Sequence, residues 1–255
     1  MRRSALAHGN PKSLVGSILG LIGCVWVAAP ATSQEFPAGE NSSSTTAVEF
    51  TGGDPLAAWA RARLAELSFS GSLAPTSLEL RLERIRAMYF LSVEEKEWAN
   101  RTRDSLRAIR EDIPEGTDDA VTYQAYRGAL EVVRAKHARW PGNKLKHLNR
   151  GAEILDGLIA GNPANLEVRY LRLASYIFLP FFLRRDDSVA ADLDTLVANL
   201  PDHPEAFSPA VYRAVVQFVV DNGEVGEAER DRLRGALETE ASTQLQSNQS
   251  VDFNG

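Results

Sequence analysis

Residues 148–177 read LNRGAEILDGLIAGNPANLEVRYLRLASYI, and the punctuation of this stretch decides the fold class. Gly151, Leu155 and Leu158 recur at helical spacing up to Ala160. Gly161 then stands where a helix would receive a C-terminal cap, and Pro163 cannot continue the ladder. Asn165 supplies a side-chain acceptor for the first free amides of a new helix, which runs through Val168, Leu171 and Ile177. Two helices joined by a turn of a few residues must lie antiparallel and bury their apolar stripes against each other.

The same grammar extends in both directions. Asp54-Pro55 places a cap before a proline at the first helical position and opens a helix over Leu56–Leu67. Thr76 or Ser77 opens a second with Leu78, Leu82, Ile85 and Tyr89 in register. Ser92-Val93-Glu94-Glu95 has the form of a capping box for a third, carrying Trp98, Thr102, Leu106 and Ile109 and ended by Pro114-Glu115-Gly116. A fourth is expected from Asp118 to Arg139 and a fifth from Lys144 to Ala160, with Pro141-Gly142-Asn143 as the break. Beyond the sixth, which reaches Leu179, Asp186 or Asp187 opens a seventh running to Leu200, Ser208-Pro209 an eighth ending at Asn222-Gly223, and Glu227–Thr239 forms a ninth. No alternating apolar and polar stretch interrupts the series. The expectation is an all-α fold of stacked antiparallel helical hairpins, about nine helices over residues 54–241.

Gly151, Leu155, Leu158 and Pro163 occupy the small, large, small and proline spacing of the second helix of a tetratricopeptide repeat, and Tyr170, Leu173, Ala174 and Ile177 resemble the first-helix pattern that follows it. Ala190–Leu200, closed by Pro201 and Pro204, suits another second helix, and Ala125-Tyr126-Arg127-Gly128-Ala129 another first helix. The chain thus resembles small exported bacterial proteins with degenerate tetratricopeptide repeats, most clearly over residues 125–204. The resemblance implies a helical-hairpin scaffold for protein interaction and brings with it no catalytic residue and no cofactor. The connection before Gly151 is too long for a standard repeat, and the usual Trp and Gly positions are absent.

Two segments stand out from this scaffold. SYIFLPFFLRRDD, residues 175–187, sets seven large apolar side chains around Pro180 and then turns abruptly charged. A repeat array buries its core only between adjacent units, so the expectation is that these side chains, Phe181 included, fill a corner between hairpins; the alternative is an exposed patch for a partner or a membrane surface. RAKHARWPGNKLKHLNR, residues 134–150, carries Arg134, Lys136, Arg139, Lys144, Lys146 and Arg150 with His137 and His147, and no acid occurs from Val132 to Ala152. Cations at the C-terminus of a helix complement its dipole and account for part of this. With Trp140 as an apolar contact, the segment is also a dock for an acidic protein partner or for anionic lipid, the latter making the chain a membrane-peripheral envelope component. The two histidines lack a neighbouring carboxylate in sequence to complete a metal set.

The termini and the composition narrow the classes. Arg2, Arg3 and Lys12 precede an apolar run over residues 14–29, followed by Pro30-Ala31-Thr32-Ser33, the pattern of an export signal cleaved after Ser33. Cys24, the only cysteine, sits in Leu21-Ile22-Gly23-Cys24, which resembles a lipobox, so lipidation at Cys24 or retention as an anchor are the competing outcomes. The destination in each case is the periplasm, the cell surface or the exterior. Residues 34–53, rich in Ser, Thr and Gly, suit a flexible linker, and residues 242–255 a disordered tail. Removal of the first 33 residues leaves 25 Lys and Arg against 34 Asp and Glu, a net charge of −9 that opposes nucleic-acid binding. Neither a phosphate-cradling glycine loop nor a nucleophile elbow nor a zinc-helix motif is present, and the paired acids Glu94-Glu95, Asp186-Asp187 and Asp192 with Asp194 are expected at helix starts or on exposed faces. The combined expectation is a non-enzymatic interaction scaffold of the cell envelope.

Overall fold

The structure, a computed structural model, describes residues 55–183 except 70–76, and residues 185–252; side chains are described for residues 56–68, 77–180, 182–183 and 185–243. The expected export signal, the linker, the cap at Asp54 and the side chain of Phe181 lie outside the described residues. Among them the fold is all-α, with helices α1 (Pro55–Phe69), α2 (Leu78–Ser92), α3 (Lys96–Ile109), α4 (Asp118–His137), α5 (Pro141–Gly161), α6 (Leu166–Tyr176), α7 (Asp186–Asn199), α8 (Pro209–Asn222) and α9 (Glu227–Asp252). Short 3-10 turns complete α3 at Arg110–Asp112, the α6–α7 corner at Phe181–Leu183, and the α7–α8 link.

Successive helices pack as hairpins: α1 on α2, α2 on α3, α4 on α5, α6 on α7 and α8 on α9. The hairpins stack because α2 and α3 both meet α4, and α4 and α5 both meet α6. The tightest seam is α4 against α5. A Cβ built on Gly151 would lie 2.6 Å from the Gly128 carbonyl oxygen and 2.7 Å from Val132 Cγ2, so the two backbones touch where only glycine fits. α1 packs on α2 at one end of the stack and also reaches α8 near the other. Fifteen residues span about 22 Å at a rise of about 1.5 Å per residue, enough for α1 to tie the two ends together.

The core follows the inward faces of α2, α4, α6 and α8. Trp59 meets Phe90 edge to face at 5.9 Å, Tyr89 meets both Phe90 and Tyr126, and Tyr170 meets Phe207 and Phe218. Ionic seams cross the same layers. Arg86 of α2 donates two hydrogen bonds to Glu167 of α6 at 2.9 and 3.0 Å, and the Tyr126 hydroxyl of α4 donates to the same carboxylate at 2.7 Å. Burial opposes the Arg86 charge, yet the Glu167 carboxylate outweighs it and holds the guanidinium pKa above its ordinary value.

Several boundaries differ from the expected ones for local reasons. Ser92 is the last residue of α2, its hydroxyl donating to the Tyr89 carbonyl, and Glu95 holds the cap position of α3 without a side-chain bond; the capping box does not form. Pro141 begins α5 instead of breaking it. Its missing N–H costs nothing at the first helical position, and it drives Trp140 to an extended ψ of 132°, so the break falls on Ala138–Trp140. By the same rule Pro180 keeps Leu179 out of α6, which stops at Tyr176. Gly161 is the last residue of α5 and Asn162, at φ −136°, holds the capping position. α9 continues past Thr239 to Asp252, into the segment assigned to the tail: after Gly235 no glycine or proline interrupts it, and the Ser242 and Thr243 hydroxyls turn back to carbonyls one turn earlier.

Candidate functional site

The two segments that stand out in the sequence meet in space. The α4–α5 seam and the α6–α7 corner enclose a pocket of about 330 Å³, with Tyr89 and Val93 of the α2 end at its back. α4 contributes Val132 and Ala135, α5 contributes Leu145 and Leu148, and the corner contributes Leu179 and Phe182. The volume lies at the lower end of ligand cavities, commonly about 300–1,000 Å³, and the lining is almost wholly apolar as such cavities are. The polar side chains in it are Tyr89, Lys136, Lys144 and Ser175, and the Ser175 hydroxyl is already engaged with the Leu171 carbonyl at 2.7 Å.

The 175–187 corner divides between the two expected roles. Tyr176 is buried, Ile177 packs against the core, and Phe178 stands edge to face with Phe218 at 6.2 Å. Past Pro180 the chain turns outward, and Phe182 is 55% exposed beside the pocket. With Trp140 at 74% and Leu145 at 46%, it makes up the exposed large apolar side chains among the described residues, and all three belong to the two elements that frame this pocket. Leu145 and Phe182 line the pocket itself, and Trp140 directly precedes Pro141, which also lines it.

The basic segment is less uniformly positive than its sequence. Arg134 pairs with Glu131 at 2.9 Å, Lys136 with Glu94 at 2.9 Å, and His147 Nδ1 lies 2.6 Å from the second Glu131 oxygen. Folding thus brings acids from one turn earlier and from the α2–α3 link onto a stretch that lacks its own. His137 Nε2 lies 2.8 Å from the Ser92 carbonyl, away from the Glu131 pair. Arg139, Lys146 and Arg150 are exposed and have no ion pair with a described residue, while Lys136 and Lys144 reach the pocket lining. Of the seven partner-binding residues expected, the fold therefore puts Lys136 and Lys144 at the pocket, Trp140 beside it, and Arg139, Lys146 and Arg150 on the outer surface of the same seam; Arg134 serves Glu131.

A second polar cluster departs from the expectation of exposed acids on α7. Asp192 is fully buried, although its spacing with Asp194 suggested an exposed face. Arg172 donates to both its oxygens at 2.7 and 2.8 Å, Arg169 adds a bond at 2.8 Å, and Arg172 also bonds Asp156 of α5. Arg185 and the Tyr176 hydroxyl complete the Asp156 side at 2.9 and 3.2 Å. The Arg172 guanidinium pKa is held high because these carboxylates outweigh the cost of burying it. The signal was present as two arginines three residues apart on α6, which face one partner helix. This network clamps α5, α6 and α7 together beneath the pocket corner.

Fold and site together define a class: an all-α protein of stacked hairpins whose described residues form an apolar, cation-edged pocket between neighbouring units. No protein-family model matches the chain, and no characterised protein or solved structure matches it. No described helix is long and apolar enough to cross a membrane.

Proposed function

We propose that the chain is a non-enzymatic interaction scaffold of the cell envelope, of the tetratricopeptide-like kind, and that it docks an acidic protein segment bearing bulky apolar side chains on the α4–α5 end. The observation that carries this reading is that the exposed Trp140 and Leu145 and the uncompensated Arg139, Lys146 and Arg150 all fall on the α4–α5 end, next to the pocket that Leu145 and Phe182 line. Exposed aromatics supply contact area at low entropic cost, and cations without intramolecular partners give up no internal pair on binding. The surrounding chain is acidic, so this end is where a negative partner is attracted instead of repelled. The export signal expected from residues 1–33 places the partner outside the cytoplasm.

The test is site-specific photo-crosslinking in envelope extracts, with a photoreactive aromatic at Trp140 and, as control, at Arg234 on the exposed side of α9. A partner captured from position 140 alone is then purified and titrated. Its affinity should fall as salt shortens the Debye length toward about 8 Å and below, and should drop at least tenfold on reversal of Arg139, Lys146 and Arg150 to glutamate. The helical circular dichroism should survive that reversal, because exposed charges contribute at most about 1 kcal/mol each. A partner that binds the triple reversal as tightly as the parent removes this surface. Sedimentation of the protein with phosphatidylglycerol vesicles, lost on the same reversal, would replace the protein partner by an anionic membrane.

A further inference from the structure

The interior of the pocket makes a demand that a surface dock does not. Its volume of about 330 Å³ exceeds what one inserted side chain fills, and among the described lining side chains the polar ones are Tyr89, Lys136, Lys144 and Ser175, the last with its hydroxyl bonded within its own helix. Water gains little in such a space, since an ordered water needs two to four polar partners. A charged or strongly polar ligand would lose its hydration for no return along the apolar wall. An unbranched hydrocarbon with a single anionic end satisfies both parts: the chain lies against Val132, Leu148 and Leu179, and the anion meets the ammonium groups. Both cations are already engaged, Lys136 with Glu94 at 2.9 Å, but an ammonium carries three donors and holds a further acceptor without releasing the first. Tyr89, whose phenol burial keeps protonated well beyond neutral pH, adds a donor and no negative charge.

We infer that the pocket between the α4–α5 seam and the α6–α7 corner is a binding site for an alkyl carboxylate, a free fatty acid whose chain fills the cavity and whose carboxylate is received by Lys136 and Lys144. Charge complementarity selects this occupant over an alkyl alcohol or a neutral lipid. The site shares Leu145 and Phe182 with the proposed partner dock but not the outer cations Arg139, Lys146 and Arg150, so charge reversal at those three separates the two.

The test is isothermal titration of the full chain with the sodium salts of hexanoate, octanoate, decanoate and dodecanoate, each below its micelle concentration. Burial of one methylene corresponds to about a fourfold gain in affinity, so the series should tighten about fourfold per carbon and level off when the cavity is full. The alcohol of the best chain length should bind at least about tenfold more weakly than the carboxylate, as expected for loss of a charge-assisted hydrogen bond, and the double variant K136Q/K144Q should abolish that preference while leaving the alcohol's affinity unchanged. Ser175→Phe, which fills the cavity, should remove binding; Leu145→Glu, at an exposed position that does not threaten folding, should weaken the carboxylate more than the alcohol. An unchanged melting temperature in Leu145→Glu separates site loss from unfolding. A flat chain-length series, equal affinity for acid and alcohol, or association with phosphatidylglycerol vesicles without binding of the free acids each overturns the assignment. The reversal of Arg139, Lys146 and Arg150 should leave fatty-acid binding within about twofold, because exposed charges outside the pocket act through screened fields.

Discussion

Asp192 has no contact with water and is held by two arginines one helical turn apart on α6. Removing the carboxylate leaves Arg172, itself nearly buried, without its main counter-charge and with only its single bond to Asp156. Breaking one side of a buried pair in this way costs about 3–5 kcal/mol, well above the loss from an exposed pair. Asp192→Ala should therefore lower stability by about that amount in chemical denaturation, whereas Asp194→Ala, two residues away and exposed, should stay within about 0.5 kcal/mol. Equal effects at the two positions would mean that the network does not clamp α5, α6 and α7. The sequence alone does not separate these two acids. Both lie in the same stretch of α7, and only the partner arginines on another helix decide which one turns inward. Gly151 is the opposite case: its small-residue position is readable from spacing, and the touch of α4 and α5 backbones at Gly128 gives the physical reason for it.

At the scale of elements, the helices were legible wherever a cap residue or an apolar stripe marked them. Ser77 and Asn165 each accept a backbone amide hydrogen bond at a helix start, at 3.3 and 3.0 Å, and Thr117, which the sequence did not single out, does the same for α4 at 3.3 Å. Prolines misled where they stand at the first helical position, because a proline there and a proline in a break look identical until the preceding residue's backbone is known; that moved the α4–α5 break by three residues and brought Trp140 to a cap position. The α9 extension was missed because Ser, Thr, Gln and Asn are neutral formers that fill either a tail or an exposed helix. α1 shows what local pattern cannot give: its contact with α8 joins segments about 150 residues apart in sequence, and no periodicity encodes it. Since α1 lies on both α2 and α8 and brings Ala60 to complete burial, a chain beginning at Ser77 should uncover apolar surface at both ends of the stack. Such a truncation should bind the dye ANS more strongly and melt at least several degrees lower than the full chain. Identical melting and dye binding would show that α1 only rests on the stack.

For the whole molecule, the candidate site was half readable. The apolar corner and the basic segment are conspicuous in sequence, but their convergence on one pocket depends on the stacking of α4–α5 against α6 and on the early break that Pro141 imposes. The neutralising acids Glu94 and Glu131 were hidden for the same reason, since they come from outside the segment they compensate. The stack also carries a signature that reports on the integrity of all its layers at once. Tyr89, Tyr126, Tyr176 and Tyr212, four of the six tyrosines, have their phenol pKa values pushed above the ordinary value of about 10, first by burial and, at Tyr126 and Tyr176, further by the carboxylates Glu167 and Asp156 that their hydroxyls contact. The fold thus favours the protonated phenol. The sign follows: this stabilisation is complete below the unfolded value of about 10 and is lost as the pH climbs through the higher folded values. An alkaline titration followed by near-ultraviolet absorbance should show these four phenols still protonated past pH of about 10 and then ionising together with the loss of helical circular dichroism, because each tyrosinate must be released to water to form. Ionisation of all six in one step near the ordinary value, with helicity retained, would place the phenols at the surface and contradict the aromatic core that aligns the hairpins around the pocket.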